Sequence, residues 1–459
     1  MTDTRLAAPD EQAARRREQR AWYFYDWANS AYVTTVGTVL LAPYLTAVAT
    51  EAACPGLAEE ATCTTDLQVL GLPISPGSLV FYAATFSTIL SALFLPVVGA
   101  VADRSPRQKT ILAGFAWVGA LAASGLWFVQ GTNWQLGVLL LIIANLCLAS
   151  SLVVYDAILC QIATPDERDR VSSRGWALGY LAGFLLLAAD LALVTGHDAL
   201  GLSEGDAVRL SLLSAGIWWG AFTVIPYLGL RNRVPTAVAP VHGNLVKEAF
   251  GQLATTLRQL RGYPNTLLFL LAYLFYNDGI QTVIGVSSVY GAEQLGFSTS
   301  QLITTILLVQ FVAFGGALAF GRLASRYGAR DTVLASLLLW TAVVGVGFFL
   351  PAGQFGLWLA LAVLIGLVLG GSQALSRSLY SHLVPRGREA EYFSLYQACE
   401  RGTSWFGTLL FGLVYQITDS YRPAILALVV FFALGAFFLR RVDVRQGISD
   451  AGNPQPAVI

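Results

Sequence analysis

Charge is scarce in this chain. Asp, Glu, Lys and Arg together make 12% of its 459 residues, about half the share of a soluble domain. Net charge is zero, so the balance says nothing about nucleic acid or acidic partners, and no nucleic-acid partner is expected. Histidine is rarer still. The three, His197, His242 and His382, are scattered in loops or near helix ends. No HExxH, GxSxG or P-loop phrase occurs, so the sequence offers no enzyme chemistry, catalytic residue or cofactor. The five cysteines are not a metal set. Cys147, Cys160 and Cys399 fall in apolar helices and read as packing residues. Cys54 and Cys63 share the loop after the first helix and are candidates for a disulfide in an oxidising space. No cleavable signal peptide is expected, because the start is polar and Arg-rich and the first apolar run is too long.

What the chain does have is apolar length. Apolar residues are 55% of it, in runs of about 20 or more, enough for a helix to cross roughly 30 Å of hydrocarbon. About twelve such runs predict an all-α membrane protein. With both ends on one side, that side holds Arg15, Arg16, Arg17, Arg20, Arg104, Arg107, Lys109, Arg168, Arg170, Arg174 and the arginines of the central connection. The second half adds Arg322, Arg326, Arg330, Arg377, Arg386, Arg388, Arg440, Arg441 and Arg445. The other side keeps Arg209 and Arg422. The positive-inside rule then makes both termini cytoplasmic, in a cell membrane. The expected units are a basic tail over 1–20, a six-helix bundle over 21–230, a linker over 231–264, a second bundle over 265–440 and a tail over 441–459. Pro235, Pro240, Gly262 and Pro264, with an amphipathic stretch near Val246–Leu260, mark the linker.

One stretch organises the chain. Gly99–Lys109 reads GAVADRSPRQK between two apolar runs, and Gly321–Asp331 reads GRLASRYGARD in the second half. Gly99, Ala102, Asp103 and Arg104 match Gly321, Ala324, Ser325 and Arg326. Two such motifs at equivalent places indicate a duplicated bundle.

Polar residues inside apolar helices are costly in a bilayer and mark candidate function. Helix 1, about Trp22–Ala49, opens WYFYDWANSAY, with Asp26, Asn29 and Tyr32 on one face. Asp26 has two readings, an interfacial carboxylate reaching headgroup water or a cavity or gate residue. Helix 4 carries Asn145 near the midplane and Asp156 near its cytoplasmic end. In helix 5, Gly175, Gly179 and Gly183 recur at a packing interval, and Asp190 lies deep. Helix 7 contains FYNDGIQT, placing Asn277, Asp278 and Gln281 near the bilayer centre. The FYD of helix 1 and FYN of helix 7 invite a match, but that register would run helix 7 past its end and is not used. Helix 8 has Gln310 and helix 10 has Gln373. Arg377 falls near the position equivalent to Asp156, so the two are candidates for pairing between the halves. Helix 11 carries Glu400 and Arg401.

Two six-helix halves and the doubled Gly…Asp-Arg…Arg motif resemble the major facilitator superfamily. WYFYDWANSAY, SSRGWALGYLAGF, FYNDGIQT and RGTSWFG (401–407) resemble its vacuole-effluxer-like branch, whose fungal namesake is the autophagy-related vacuolar amino-acid exporter. The resemblance implies a secondary transporter working by alternating access, with an amino acid as candidate cargo and protons as candidate coupling ion. A non-transporting receptor or a channel-like protein on the same fold is the alternative. The family's cavity is lined by helices 1, 4, 7 and 10, which selects Asn29, Tyr32, Asn145, Asn277, Asp278, Gln281 and Gln373. Glu400 and Arg401 either bind the charged ends of an amino acid or form a structural pair. Asp278, then Asp26, are the coupling candidates. Gly99, Asp103, Arg104, Arg107, Asp156, Arg326 and Arg377 form the expected cytoplasmic gate, Arg104 and Arg107 serving equally as topology anchors. The family motif has glycine where this chain has Pro106, and Ser325 stands where the second copy would carry Asp. The expected partners are a small-molecule substrate, the lipid bilayer and protons, for a monomer.

Overall fold

The computed structural model describes residues 9–56, 63–69, 71–234, 258–402 and 405–459. Pro235, Pro240, His242 and most of the amphipathic stretch lie outside the described residues. Eleven helices among those described are long and apolar enough to cross a membrane. They are α1 (Asp10–Ala53), α2 (Pro76–Arg104), α3 (Gln108–Phe128), α4 (Trp134–Ile162), α5 (Pro165–Thr195), α6 (Glu204–Gly229), α7 (Pro264–Gln294), α8 (Thr299–Tyr327), α9 (Ala329–Phe349), α10 (Phe355–Leu383) and α12 (Tyr421–Arg441). Between the last two, α11 is described as two segments in series, Glu389–Gly402 and Trp405–Thr418. Neither half alone is a span's length. Together they complete twelve. A short helix, α13 (Val444–Asp450), follows α12.

Local chemistry sets several boundaries. Thr164 and Glu167 form a capping box at the start of α5, and Ser298 and Gln301 form one at the start of α8, satisfying N–H groups that the first turn leaves unpaired. Gly328 ends α8 at φ +87°, a conformation that disfavours a side chain, and α9 begins on the next residue.

One sequence reading needs correction. Residues expected as a polar tail are helical from Pro9 onward. Gln19 explains why. Its Nε2 donates to the Ile162 carbonyl at 2.9 Å, tying the early turns of α1 to the end of α4. The FYD/FYN register, carried along α1, still overruns α7, which ends at Gln294 after a π-helical turn, but the two phrases match locally. Tyr25 in α1 donates to Ser151 in α4, and Tyr276 in α7 pairs with Ser376 in α10 at 2.7 Å. The two tyrosines play the same packing part in the two bundles.

Close helix pairs run on glycine. A methyl group at Gly175, Gly179 or Gly183 of α5 would overlap Asp26, Ser30 or Thr34 of α1. At Gly370 and Gly371 of α10 it would overlap Ala313 and Phe320 of α8. The helix 5 stripe is therefore a packing seam.

Call the face that carries the described ends of the chain the terminal face, and the opposite one the distal face. On the distal side Cys54 and Cys63 are joined as a disulfide with Cα atoms 5.9 Å apart. Next to them β1 (Leu67–Val69) pairs antiparallel with β2 (Leu72–Ile74). On the terminal side the stretch after α12 crosses from one bundle to the other. Asn453 Nδ2 donates to the His382 and Val384 carbonyls at 2.9 and 2.8 Å, and the Ala457 N–H donates to Asp166 Oδ1 at 2.6 Å.

Two outcomes follow. Alkylation of denatured protein should add three groups without reductant and five with it, read by intact mass. Five adducts without reductant would contradict the Cys54–Cys63 bond. Gly370→Val should lower the melting temperature in detergent, by overpacking worth about 1–3 kcal/mol, while Gly345→Val, whose added Cβ meets nothing within 4 Å, should leave it nearly unchanged.

Candidate functional site

A cavity of about 540 Å3 lies between the bundles. Its walls come from α1, α4 and α5 on one side and α7, α8, α10 and α11 on the other. Gly37, Thr38, Gly285 and Ser288 line it toward the distal face and are exposed. Asp26, Asp156, Gln373, Arg377 and Gln397 line its other end and are buried. The cavity thus opens distally and is floored toward the terminal face. Along α1 its wall is a π-helical turn, Val33–Leu40, whose wider bond pattern is often placed at functional positions.

Arg377 is the centre of the floor. It belongs to α10, and its side chain is 2% exposed. Every group it holds is in the other bundle. Nη2 lies 3.0 Å from Asp26 Oδ2, and Nη1 lies 3.4 Å from Asp156 Oδ1. Nε donates to Ser172 Oγ at 3.0 Å, and Nη2 also donates to the Ser172 carbonyl at 3.1 Å. Three rings face the guanidinium, Trp22 at 4.8 Å, Tyr155 at 5.3 Å and Trp176 at 5.4 Å. The carboxylates are themselves supported. Tyr155 donates to Asp26 Oδ2 at 2.7 Å, and Gln397 of α11 donates to Asp156 Oδ2 at 2.8 Å. A buried charge is stable only when paired and hydrogen-bonded, and this one is both.

Below the floor more bonds cross between bundles. Arg168 Nη1 donates to the Ser381 carbonyl at 2.7 Å, and Ser172 Oγ donates to the Ala374 carbonyl at 2.7 Å. Asp103, at the end of α2, accepts the N–H groups of Ala390 and Glu391 at 2.8 Å each. These are first-turn donors of α11 that no helical carbonyl satisfies, and the helix dipole favours an anion there. Gly99 permits the approach, since a Cβ on it would overlap the Ala390 carbonyl. At the second motif Gly321 packs on Ser173 of α5 in the same way. Ser325 turns back to the Arg322 carbonyl instead of reaching across.

The residues singled out from sequence fall into two groups. Asp26, Asn29, Asp156, Gln281, Gln310, Gln373, Arg377, Glu400 and Arg401 line the cavity. Tyr32, Asn145, Asn277 and Asp278, expected on its wall, do not. Tyr32 donates to Asn145 Oδ1 at 3.2 Å inside the first bundle. Asn277 accepts from Gln373 at 2.9 Å and donates to the Glu400 carbonyl at 3.2 Å. Asp278 turns to α11, where one oxygen accepts the Gly407 N–H at 2.9 Å and the other has no partner among the described residues. The reason is rotation. Three residues turn a helix by about 300°, so Gln281 and Asp278 sit about 60° apart, enough for Gln281 to reach the cavity while Asp278, at the edge of that face, turns to its neighbour helix. Arg326, expected at the gate, is exposed and lies over Tyr327. Arg107 is exposed too. Asp190 accepts from Ser214 of α6 at 2.9 Å. The sequence reading missed Trp22, Tyr155, Trp176 and Gln397, although the first two flank Asp26 and Asp156 and Trp176 sits in the SSRGW phrase.

Removing Arg377 leaves two buried carboxylates unpaired. Arg377→Gln should destabilise the protein by about 3–5 kcal/mol, the usual loss for breaking a buried pair, seen as a lower melting temperature. Adding Asp26→Asn to that variant should recover part of the loss. Strictly additive losses in this double-mutant cycle would deny the coupling.

Comparison with known proteins agrees with this geometry. Residues 14–452 match the family model described as vacuole effluxer Atg22 like. An uncharacterised MFS-type transporter of Bacillus subtilis, YxiO, is 29% identical over 96% of this chain and 98% of its own. Autophagy-related protein 22 of Pyricularia oryzae is 25% identical over 96% of this chain and 78% of its own. Among solved structures, the major facilitator transporter FucP in its outward conformation superposes with a TM-score of 0.66 at 14% identity, over 93% of this chain and 98% of FucP. The proton:xylose symporter XylE superposes with a TM-score of 0.68 at 12% identity, over 94% and 96%. The fold, the cavity between the bundles and the match over nearly the full length place this chain in the vacuole effluxer Atg22-like family of major facilitator transporters.

Proposed function

We propose that this protein exports a small zwitterionic solute, an amino acid in the first instance, by alternating access. The observation that carries the reading is a cavity with polar lining, open on one face and sealed on the other by bonds between bundles. Such a seal can be broken and remade, which is what alternating access requires. The two bundles, 21–230 and 265–440, are the units that rock, with Gly99, Asp103, Asp156 and Arg377 holding the terminal face shut. That face is assigned to the cytoplasm. The arginine distribution supports the assignment, and so does a disulfide on the other side, where an oxidising space preserves it.

The cargo reading rests on lining chemistry. Glu400 and Arg401 bring one charge of each sign to the cavity, beside the amides of Asn29, Gln281 and Gln310 and the hydroxyls of Ser287 and Ser288. That set suits a molecule with an ammonium, a carboxylate and a short side chain. The family description, an effluxer, supports export. For coupling we assign the proton to Asp278. It is fully buried, carries one oxygen without a partner among the described residues, and accepts the Gly407 N–H of α11 with the other. Binding or losing a proton there changes how α7 holds α11.

Purified protein should gain thermal stability with neutral amino acids and not with sugars, because a ligand of the folded state stabilises it by mass action. In proteoliposomes the same amino acids should show saturable flux that follows an imposed pH gradient. Asp278→Asn should abolish that gradient dependence while keeping the stability gain. Flux in Asp278→Asn that still follows the gradient would remove Asp278 from coupling. Stabilisation by sugars alone would overturn the cargo.

A further inference from the structure

Arg377 is a guest. It is anchored in the second bundle, yet each group that receives its guanidinium, Asp26, Asp156, Tyr155, Ser172, Trp22 and Trp176, belongs to the first. Three aromatic faces and two carboxylates are the makeup of a site for an organic cation. We propose that this cage is an ammonium-binding site which Arg377 and the solute's primary amine occupy in turn, so that Arg377 acts as a tethered competitor that expels the amine.

The argument rests on alternating access as read above. For the terminal face to open, Arg168–Ser381, Ser172–Ala374 and the Asp103 bonds must part, and Arg377 leaves with α10. Two carboxylates then remain in an aromatic pocket. Among the described residues Arg377 is the one cation paired with either of them. A buried charge that loses its partner is strongly unfavourable, so a cation arriving from the opened face gains the pairing that Arg377 gave up.

Two further groups mark where the amine goes next. Gln373 Oε1 and Gln397 Oε1 have no hydrogen-bond partner among the described residues, and each residue is 3% exposed and lines the cavity. Their amide nitrogens are already used, on Asn277 and Asp156, so each keeps a buried, unpaired acceptor in the cavity wall. Buried acceptors rarely stay unpaired. Gln373 lies one turn from Arg377 on α10, and Gln397 touches the cage through Asp156. An ammonium pushed out of the cage by the returning guanidinium meets these two oxygens first, in a cavity now open distally. Affinity for the amine is then high when the terminal face is open and low when the distal face is open. That ordering favours loading from the terminal face and release at the distal face, with net direction set by the solute and proton gradients.

The test uses full-length protein in nanodiscs, with n-propylammonium as probe and n-propanol as its neutral match. Asp103→Asn weakens the seal and leaves the cage intact. Spin labels across the terminal face report opening independently of binding. Expected is a wider terminal face in Asp103→Asn and propylammonium affinity raised by about tenfold or more, as a competent state goes from rare to common. Propanol should gain nothing, and adding Asp26→Asn or Trp22→Leu should erase the gain. If the face opens and propylammonium affinity does not change, as for a cage that takes a proton instead, the proposal falls while alternating access stands. If the labels do not move, both fall. Should Asp103→Asn fail to fold, Arg377→Ala carries the test. Propylammonium or ethylguanidinium should restore its melting temperature where propanol does not, and absence of that rescue overturns the proposal.

Discussion

The structure depends on a constraint that a bilayer imposes severely. A guanidinium that is 2% exposed cannot stay in a membrane protein without an opposite charge close by. Arg377 meets that demand across the boundary between the bundles, not within its own. The consequence is mechanical. The bundles cannot separate on the terminal side without leaving Asp26 and Asp156 in need of a new partner, so electrostatics and conformation are one variable here. Packing is arranged to make the contact possible. The glycine seam of α5 brings it against α1, and Gly175 itself sits under the Asp26 carboxylate, Trp22 and the Tyr155 hydroxyl.

The seal on the terminal face is strong in one half and weak in the other. Asp103 holds two backbone donors of α11 at the positive end of that helix. The second copy keeps the glycine approach, Gly321 on Ser173, but Ser325 is spent on its own helix. The second copy keeps the shape of the motif but lacks its carboxylate. On that side the crossing bonds come instead from Arg168, Ser172 and the stretch after α12 that reaches Asp166.

Much of this was legible in the sequence. Apolar length gave the spans, and the repeated Gly…Arg phrase gave the duplication. The opposite charges at Asp156 and Arg377 gave a pair between halves, which the structure places 3.4 Å apart. What was not legible follows from rotation and reach. Asp278 lies at the right depth but on the wrong face of α7, and hydropathy measures depth without azimuth. The aromatic cage escaped notice because Trp22 looks like an interfacial belt residue in one dimension. Its ring is fully buried and stacked on Tyr155 at 4.2 Å. The π-helical turns of α1 and α7 shift register locally, which no fixed period anticipates.

The match between Tyr25 and Tyr276 carries one more step. In that register Asp26 of the first bundle corresponds to Asn277 of the second, so equivalent backbone positions bear a carboxylate in one half and an amide in the other. The carboxylate draws an arginine across the interface. The amide stays home, held by Gln373 and the Glu400 carbonyl of its own bundle. The halves share a fold but have taken complementary roles, one presenting an anionic aromatic cage and the other supplying the cation that fills it. A symmetric pair of cages would need two arginines exchanged in opposite directions. Both contacts would then hold the bundles together on the terminal side, doubling the number of buried ion-pair contacts across the boundary. Keeping the cage on one side leaves Arg377 as the one arginine, among the described residues, that forms ion pairs across the boundary between the bundles, and those pairs lie on the floor of the cavity.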